Sequence, residues 1–235
     1  MSGALPLYFL SECVGCAVTL AVLASAGRIR RSALAVGLVM VVAAPLSVLH
    51  DGTYWTPTRL LGGPFGVEDA MFAWRFAVLA MVAAFWPWRH DQKRCPTDPR
   101  PGEVAILGLV GTLVFGLLTY AADRSVMTAF LAAQATVAGT LLIRRPDLWR
   151  PALRATTILS AIHAFHLAVA VTFVPGFAAM WQGSQPYWAT LAGIPVEEVV
   201  WAATFGACVP PMWAVATGWR PAKAPITVAG APSPD

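Results

Sequence analysis

Apolar residues gather into seven runs along the chain, at 5–26, 32–49, 67–88, 104–122, 126–143, 155–174 and 196–217. Each is near the ~20 apolar residues that a helix needs to cross the ~30 Å hydrocarbon core of a bilayer. Backbone in lipid must satisfy its own hydrogen bonds, so runs of this length predict helices. The pattern therefore predicts an all-α fold, a polytopic membrane bundle of about seven transmembrane helices. The first run lacks the basic start and small-residue cleavage site of a signal peptide and reads as a retained helix. The connecting segments 50–66 and 175–195 are rich in Gly, Pro, Trp and Tyr and read as interfacial or re-entrant loops.

Composition agrees with the pattern. Only 12% of the 235 residues are charged, about half the usual share of a soluble domain, and the mean hydropathy is +0.64. Seven crossings use up the length and leave no room for a separate soluble domain. The net charge of +4 does not point to nucleic acid, because the basic residues lie between apolar runs and form no basic face. They read as topology signals. With the N-terminus outside and the C-terminus cytoplasmic, 13 of the 16 Lys and Arg residues fall on the inner side, while Arg59 and Arg124 lie outside and Arg75 lies within a helix. Trp86, Trp88, Trp149 and Trp219 then suit the inner aromatic belt, and Trp55, Trp181 and Trp188 the outer one. Cys13, Cys16, Cys95 and Cys208 are too scattered for a disulfide framework, and a CxxC inside an apolar run reads as small packing residues.

A short pattern occurs twice. Tyr54-Trp55 leads through a Gly/Pro turn into Gly66-Val67-Glu68-Asp69, and Tyr187-Trp188 leads through another into Pro195-Val196-Glu197-Glu198. Both copies open a helix, four helices apart, and so enter the membrane from the same side. The chain divides accordingly into a first three-helix repeat at 1–102, a linking helix at 103–124, a second parallel repeat at 125–219, and a disordered Pro/Ala-rich tail at 220–235.

The acids are candidates for chemistry. In a first helical turn, free N–H groups and the helix dipole favour an anion, so Glu68, Asp69, Glu197 and Glu198 are suited to serve as caps. Two such pairs on one side also suit a shared site in which one carboxyl donates a proton and another takes one back. Adjacent helical positions point about 100° apart, so one member of each pair faces the bundle. Arg75, seven residues beyond Glu68, needs an inward partner such as Glu12 or Asp123. His163 and His166 share one side of helix six; with no third ligand near in sequence, core hydrogen bonding is the favoured role and no metal is assigned. Phe72, Trp74, Trp201 and Phe205 follow the acids at helical spacing, as core packing or as faces for a cationic intermediate.

These residues resemble the integral-membrane lycopene cyclases, which occur as two small subunits or one fused chain. The likeness lies in Gly193-Ile194-Pro195-Val196-Glu197-Glu198 before an apolar-aromatic helix, similar to that family's Pro-x-Glu-Glu element, and in its echo Gly66-Val67-Glu68-Asp69. The echo has Gly66 in place of the usual proline and Asp69 in place of the second glutamate. The resemblance implies a redox-neutral isomerisation without cofactor, in which a carboxylic acid protonates the end of a polyene, a neighbouring double bond closes a ring, and a base removes a proton. It implies Glu197 and Glu198 as acid and base, Glu68 and Asp69 as counterparts, and Phe72, Trp201, Phe205 and Trp188 against the substrate. The implied partners are an apolar polyprenoid within the membrane and the surrounding lipids. A retinal-type protein is excluded because Lys93 and Lys223, the only lysines, lie outside the runs. Ala202, where a Glu-Glu-x-x-x-Arg protease has arginine, argues against that class. A lipid-binding protein or small-solute transporter remains, and cavity character discriminates: long and apolar for a cyclase, polar and open for a solute path.

Overall fold

The computed structural model describes residues 6–89, 99–181 and 189–220. Among them, seven helices are long and apolar enough to cross a membrane: α1 (Leu7–Ala24), α2 (Ile29–Ala43), α3 (Val67–Phe85), α4 (Pro101–Gly116), α5 (Val126–Arg144), α6 (Trp149–Phe173) and α7 (Val196–Thr217). The chain is an all-α bundle, as its hydropathy predicts. A 3₁₀ turn, Ala44–Leu49, prolongs α2, and a π turn, Leu117–Ala121, prolongs α4. Tyr187, Trp188 and the tail beyond Arg220 lie outside the described residues.

The sixth helix starts six residues earlier than its apolar run. Pro151 sits in its first turn, where a missing N–H costs nothing, and Arg150 and Arg154 are exposed, so hydropathy alone places this start too late. Trp181 and Trp219, expected in the aromatic belts, are instead buried. Trp219 packs against Phe85 and Trp88.

Helices α3 and α7 are the hubs. The first packs against α1, α2, α6 and α7, and the second against α3, α4, α5 and α6. The outward faces of the other helices carry exposed Val42, Leu109, Leu113, Ile143, Phe165 and Phe173, which lipid would cover. Close contact at α6/α7 depends on Gly206, where a Cβ would stand 2.8 Å from the Ala155 carbonyl and the Thr156 nitrogen. Thr156 Oγ1 donates across the same contact to the Ala203 carbonyl at 3.1 Å.

Two loops meet over the end of the bundle where α3 and α7 begin. The Thr56 N–H donates to the Met180 carbonyl at 2.7 Å. A minimal hairpin, Thr190–Leu191 with Ile194–Pro195, delivers the chain into α7. Its turn puts Ala192 at φ 51° and Gly193 at φ 81°, the left-handed pair that a two-residue hairpin requires. Glycine adopts that backbone without strain, whereas Ala192 does so at a cost.

Candidate functional site

Both acidic pairs occupy the second and third positions of their helices, after Gly66 and Pro195 respectively. The residue before the helix decides what the third-position carboxylate does. Gly66 has an N–H, and it donates to Asp69 Oδ2 at 2.8 Å. The same oxygen accepts from Arg59 Nε at 2.8 Å, and Arg59 reaches on to Asp51 Oδ1 at 2.8 Å. Burial works against the Arg59 charge, but its bonds to Asp69 and Asp51 outweigh that and hold its pKa above the ordinary value. Asp69 is thus committed to a cap and an ion pair that pin the loop to α3.

Pro195 has no N–H to offer, so Glu198 cannot be drawn back into a cap of that kind. Its side chain instead turns into the bundle. Oε1 accepts from Trp181 Nε1 at 3.0 Å, and Oε2 lies 3.2 Å from His163 Nε2. One proton can rest on either member of this contact, as a neutral acid beside imidazole or as carboxylate beside imidazolium.

Glu198 and Asp69 line a cavity of about 770 Å³, within the ~300–1,000 Å³ range of small-molecule sites. Glu68 and Glu197 are buried but do not line it, so the inward-facing member of each pair is the second. Glu68 accepts from the Leu60 N–H, and its carboxylate packs so close to Gly66 that a Cβ there would overlap Oε2. That contact, with the extended Gly66 backbone at φ −139°, explains why proline does not occupy this position.

All seven helices contribute to the cavity wall, which is overwhelmingly apolar. From Glu198 to Met212 the wall follows α7 for about 21 Å at 1.5 Å per residue. Next to the acid, Phe72 stacks on Trp201 with centroids 5.4 Å apart, and Phe76 and Phe205 complete the cluster. His163 meets the Phe76 ring edge-on at 4.8 Å. Three of the four expected aromatic contacts, Phe72, Trp201 and Phe205, therefore line one wall, while Trp188 lies outside the described residues.

Arg75 finds its inward partner in Glu12, through a bidentate pair whose second bond, Nη2 to Oε1, is 2.9 Å. The guanidinium lies over the Phe72 and Phe76 rings at 5.1 and 5.2 Å. Gly15 makes room for it, since a Cβ there would stand 2.8 Å from Arg75 Cδ and Nε. Between α5 and α7, Thr204 Oγ1 donates to Gln134 Oε1 at 2.6 Å. His166 does not join His163; its Nε2 lies 2.8 Å from Ser11 Oγ. Among the described residues no group of three or more His, Cys, Asp or Glu gathers as a metal site would.

Sequence reasoning did not single out Trp181, Arg59, Phe76, Ser47 or His50 for this site. Trp181 looked like an interface residue and Arg59 like a topology charge, and only the path of the loops brings them to the acids.

The fold and the site together define a seven-helix membrane-type bundle that contains an apolar cavity with an acid–imidazole pair in its wall. The chain matches no family model, no curated protein and no solved structure.

Proposed function

We propose that this protein is a membrane isomerase of the carotenoid-cyclase type, acting on the end group of a polyprenoid drawn from the bilayer, with Glu198 as its acid. The observation that carries the reading is the Glu198–His163 contact in the wall of a long apolar cavity, beside the stacked Phe72 and Trp201 rings.

In this reading neutral Glu198 gives its proton to a terminal double bond. The next double bond attacks the resulting cation and forms the ring C–C bond. The carboxylate, or His163 through it, then takes a proton from a ring carbon, so the proton is returned and no electrons are gained or lost. The aromatic faces of Phe72 and Trp201 suit a passing cation, and an apolar wall keeps water from quenching it. Pro195 leaves Glu198 free for this work, whereas Gly66 ties down Asp69, so the second acidic pair is the working one. Glu197 and Glu68 are assigned supporting places behind the wall.

The same proposal takes helices α1–α3 and α5–α7 as parallel repeats with α4 as connector. In support, α3 packs on α1 and α2 as α7 does on α5 and α6, and Arg75 and Thr204 each lie six residues beyond the third-position acid. It also takes the N-terminus as outside, on the distribution of basic residues.

Non-catalytic lipid binding is the competing reading, because an apolar cavity alone serves it equally well; a polar solute path has no support in this wall. Expression in a lycopene-accumulating bacterial host, with Glu198→Gln beside it, separates them. A cyclised pigment that the variant fails to make, at equal membrane abundance, is the expected result. Unchanged lycopene despite good membrane expression rules out lycopene cyclisation and leaves binding.

A further inference from the structure

The cavity wall is apolar except for a few atoms, and three of these are buried without a hydrogen-bond partner in the protein: His163 Nδ1, His50 Nδ1 and Ser47 Oγ. A buried polar atom left unpaired is costly, so three around one cavity call for an explanation in what the cavity holds. His163 is 2% exposed, and its other nitrogen is taken by Glu198. When the proton of that contact rests on Glu198, the imidazole carries its own hydrogen on Nδ1, as a donor with no acceptor in the protein.

Ser47 belongs to the 3₁₀ turn that ends α2, and His50 caps that turn. The His50 N–H donates to the Ser47 carbonyl at 2.9 Å, and residues three apart on such a turn lie one above the other. The His50 ring is held edge-on to Phe130 at 5.6 Å, which fixes its orientation. His50 also meets the Tyr54 ring edge-on at 6.4 Å, and Tyr54 belongs to the same buried cluster as Trp181, which donates to Glu198, so the turn and the acid share one end of the cavity. From there the wall runs along α7 to Met212 with little polar character.

We infer that the cavity's occupant is an oxygenated isoprenoid, an alcohol or a ketone, whose oxygen lies among His163 Nδ1, His50 Nδ1 and Ser47 Oγ while its hydrocarbon chain extends toward Met212. A hydroxyl both donates and accepts and can serve a serine oxygen and an imidazole nitrogen together; a ketone accepts from His163 and Ser47. A pure hydrocarbon such as lycopene can enter the same cavity but leaves all three atoms unpaired, so it is held less tightly than an oxygenated relative. The inference rests on the reading of the cavity as an isoprenoid site and specifies its chemistry.

The test uses the full chain in lipid nanodiscs and two probes, all-trans-retinol and axerophtene, its deoxygenated hydrocarbon. Binding is read by quenching of tryptophan emission, since Trp55, Trp181 and Trp201 line the cavity. Retinol is expected to bind at least about tenfold more tightly than axerophtene once each is corrected for its partition into empty nanodiscs. In Ser47→Ala, His50→Phe the retinol affinity should fall by about tenfold, while that for axerophtene stays within about twofold, which also reports an intact cavity. If the double variant loses both probes, Ser47→Ala alone, which removes one oxygen and little volume, carries the comparison. Equal affinity for the two probes in the unaltered protein, or a preference that survives the substitutions, overturns the oxygenated ligand and leaves the isoprenoid site standing. Quenching by neither probe overturns the isoprenoid site and the inference with it.

Discussion

Replacing Glu12 by Gln tests whether the Glu12–Arg75 pair is a structural tie. Both groups are almost wholly enclosed, at 1% and 2% exposure, and Glu12 accepts both of the bonds between them. Removing one partner of a buried pair strands the other charge, at a cost of about 3–5 kcal/mol. Between α5 and α7, which the proposed repeat sets against α1 and α3, the bridge is the neutral pair Gln134–Thr204, so a neutral bridge fits the framework. The double substitution Glu12→Gln, Arg75→Thr removes the stranded charge. Its remaining losses are the guanidinium's contact with Phe72 and Phe76, about 0.5–2 kcal/mol, and some packing against Gly15. The single variant should therefore be less stable than the double variant by about 1–4 kcal/mol. Unfolding in detergent, followed by reaction of the buried Cys208 thiol with a fluorogenic dye, measures both. A double variant as unstable as Glu12→Gln, or still less stable because the two single costs simply add, would refute the argument.

Further outcomes follow from the same geometry. Pro195→Gly supplies an N–H that can draw Glu198 into a cap as Gly66 holds Asp69; product formation should fall by about a hundredfold with helicity unchanged, and undiminished turnover would discard the role given to Pro195. Gly206→Ala forces a methyl group against the Ala155–Thr156 backbone and should cost about 1–3 kcal/mol. Gly139→Ala, which meets nothing within 4 Å, should be neutral or stabilise by up to about 1 kcal/mol, so thermal unfolding of the pair checks the close approach. Burial pushes the His50 imidazole below its ordinary pKa, against the pull of Glu198. The unfolded chain therefore takes up a proton at His50 before the folded one does. The contribution of His50 to stability is unchanged above about pH 6.5 and is lost progressively as pH falls below it. Unfolding curves across that range should lose part of their slope in His50→Phe.

The seven helices were legible because lipid leaves no alternative to helix for a long apolar run. The start of α6 was not, since Trp149 to Arg154 mixes charge and proline with helical residues and only tertiary packing includes it. Positions of the acids in first turns could also be read, and so could the need of Arg75 for an inward partner. The different fates of Asp69 and Glu198 were present in the sequence as Gly66 against Pro195, one residue with an N–H and one without. What stayed hidden were pairings across long separations. His163 reaches Glu198 across 35 residues, and Arg59 and Trp181 arrive through loops whose path no periodicity describes. Core hydrogen bonding was the favoured role for His163 and His166, but their separate partners, Glu198 for one and Ser11 for the other, are set by helix packing and not by their i, i+3 spacing.

The stacked Phe72 and Trp201 come from α3 and α7, so the wall beside the acid is a seam between early and late parts of the chain. Neither part encloses a cavity by itself. An occupant that touches both adds its binding free energy to the adhesion of α3 to α7. Ligand and fold are then thermodynamic partners: emptying the cavity loosens the seam, and a mutation that loosens the seam weakens binding without touching a ligand-contacting residue.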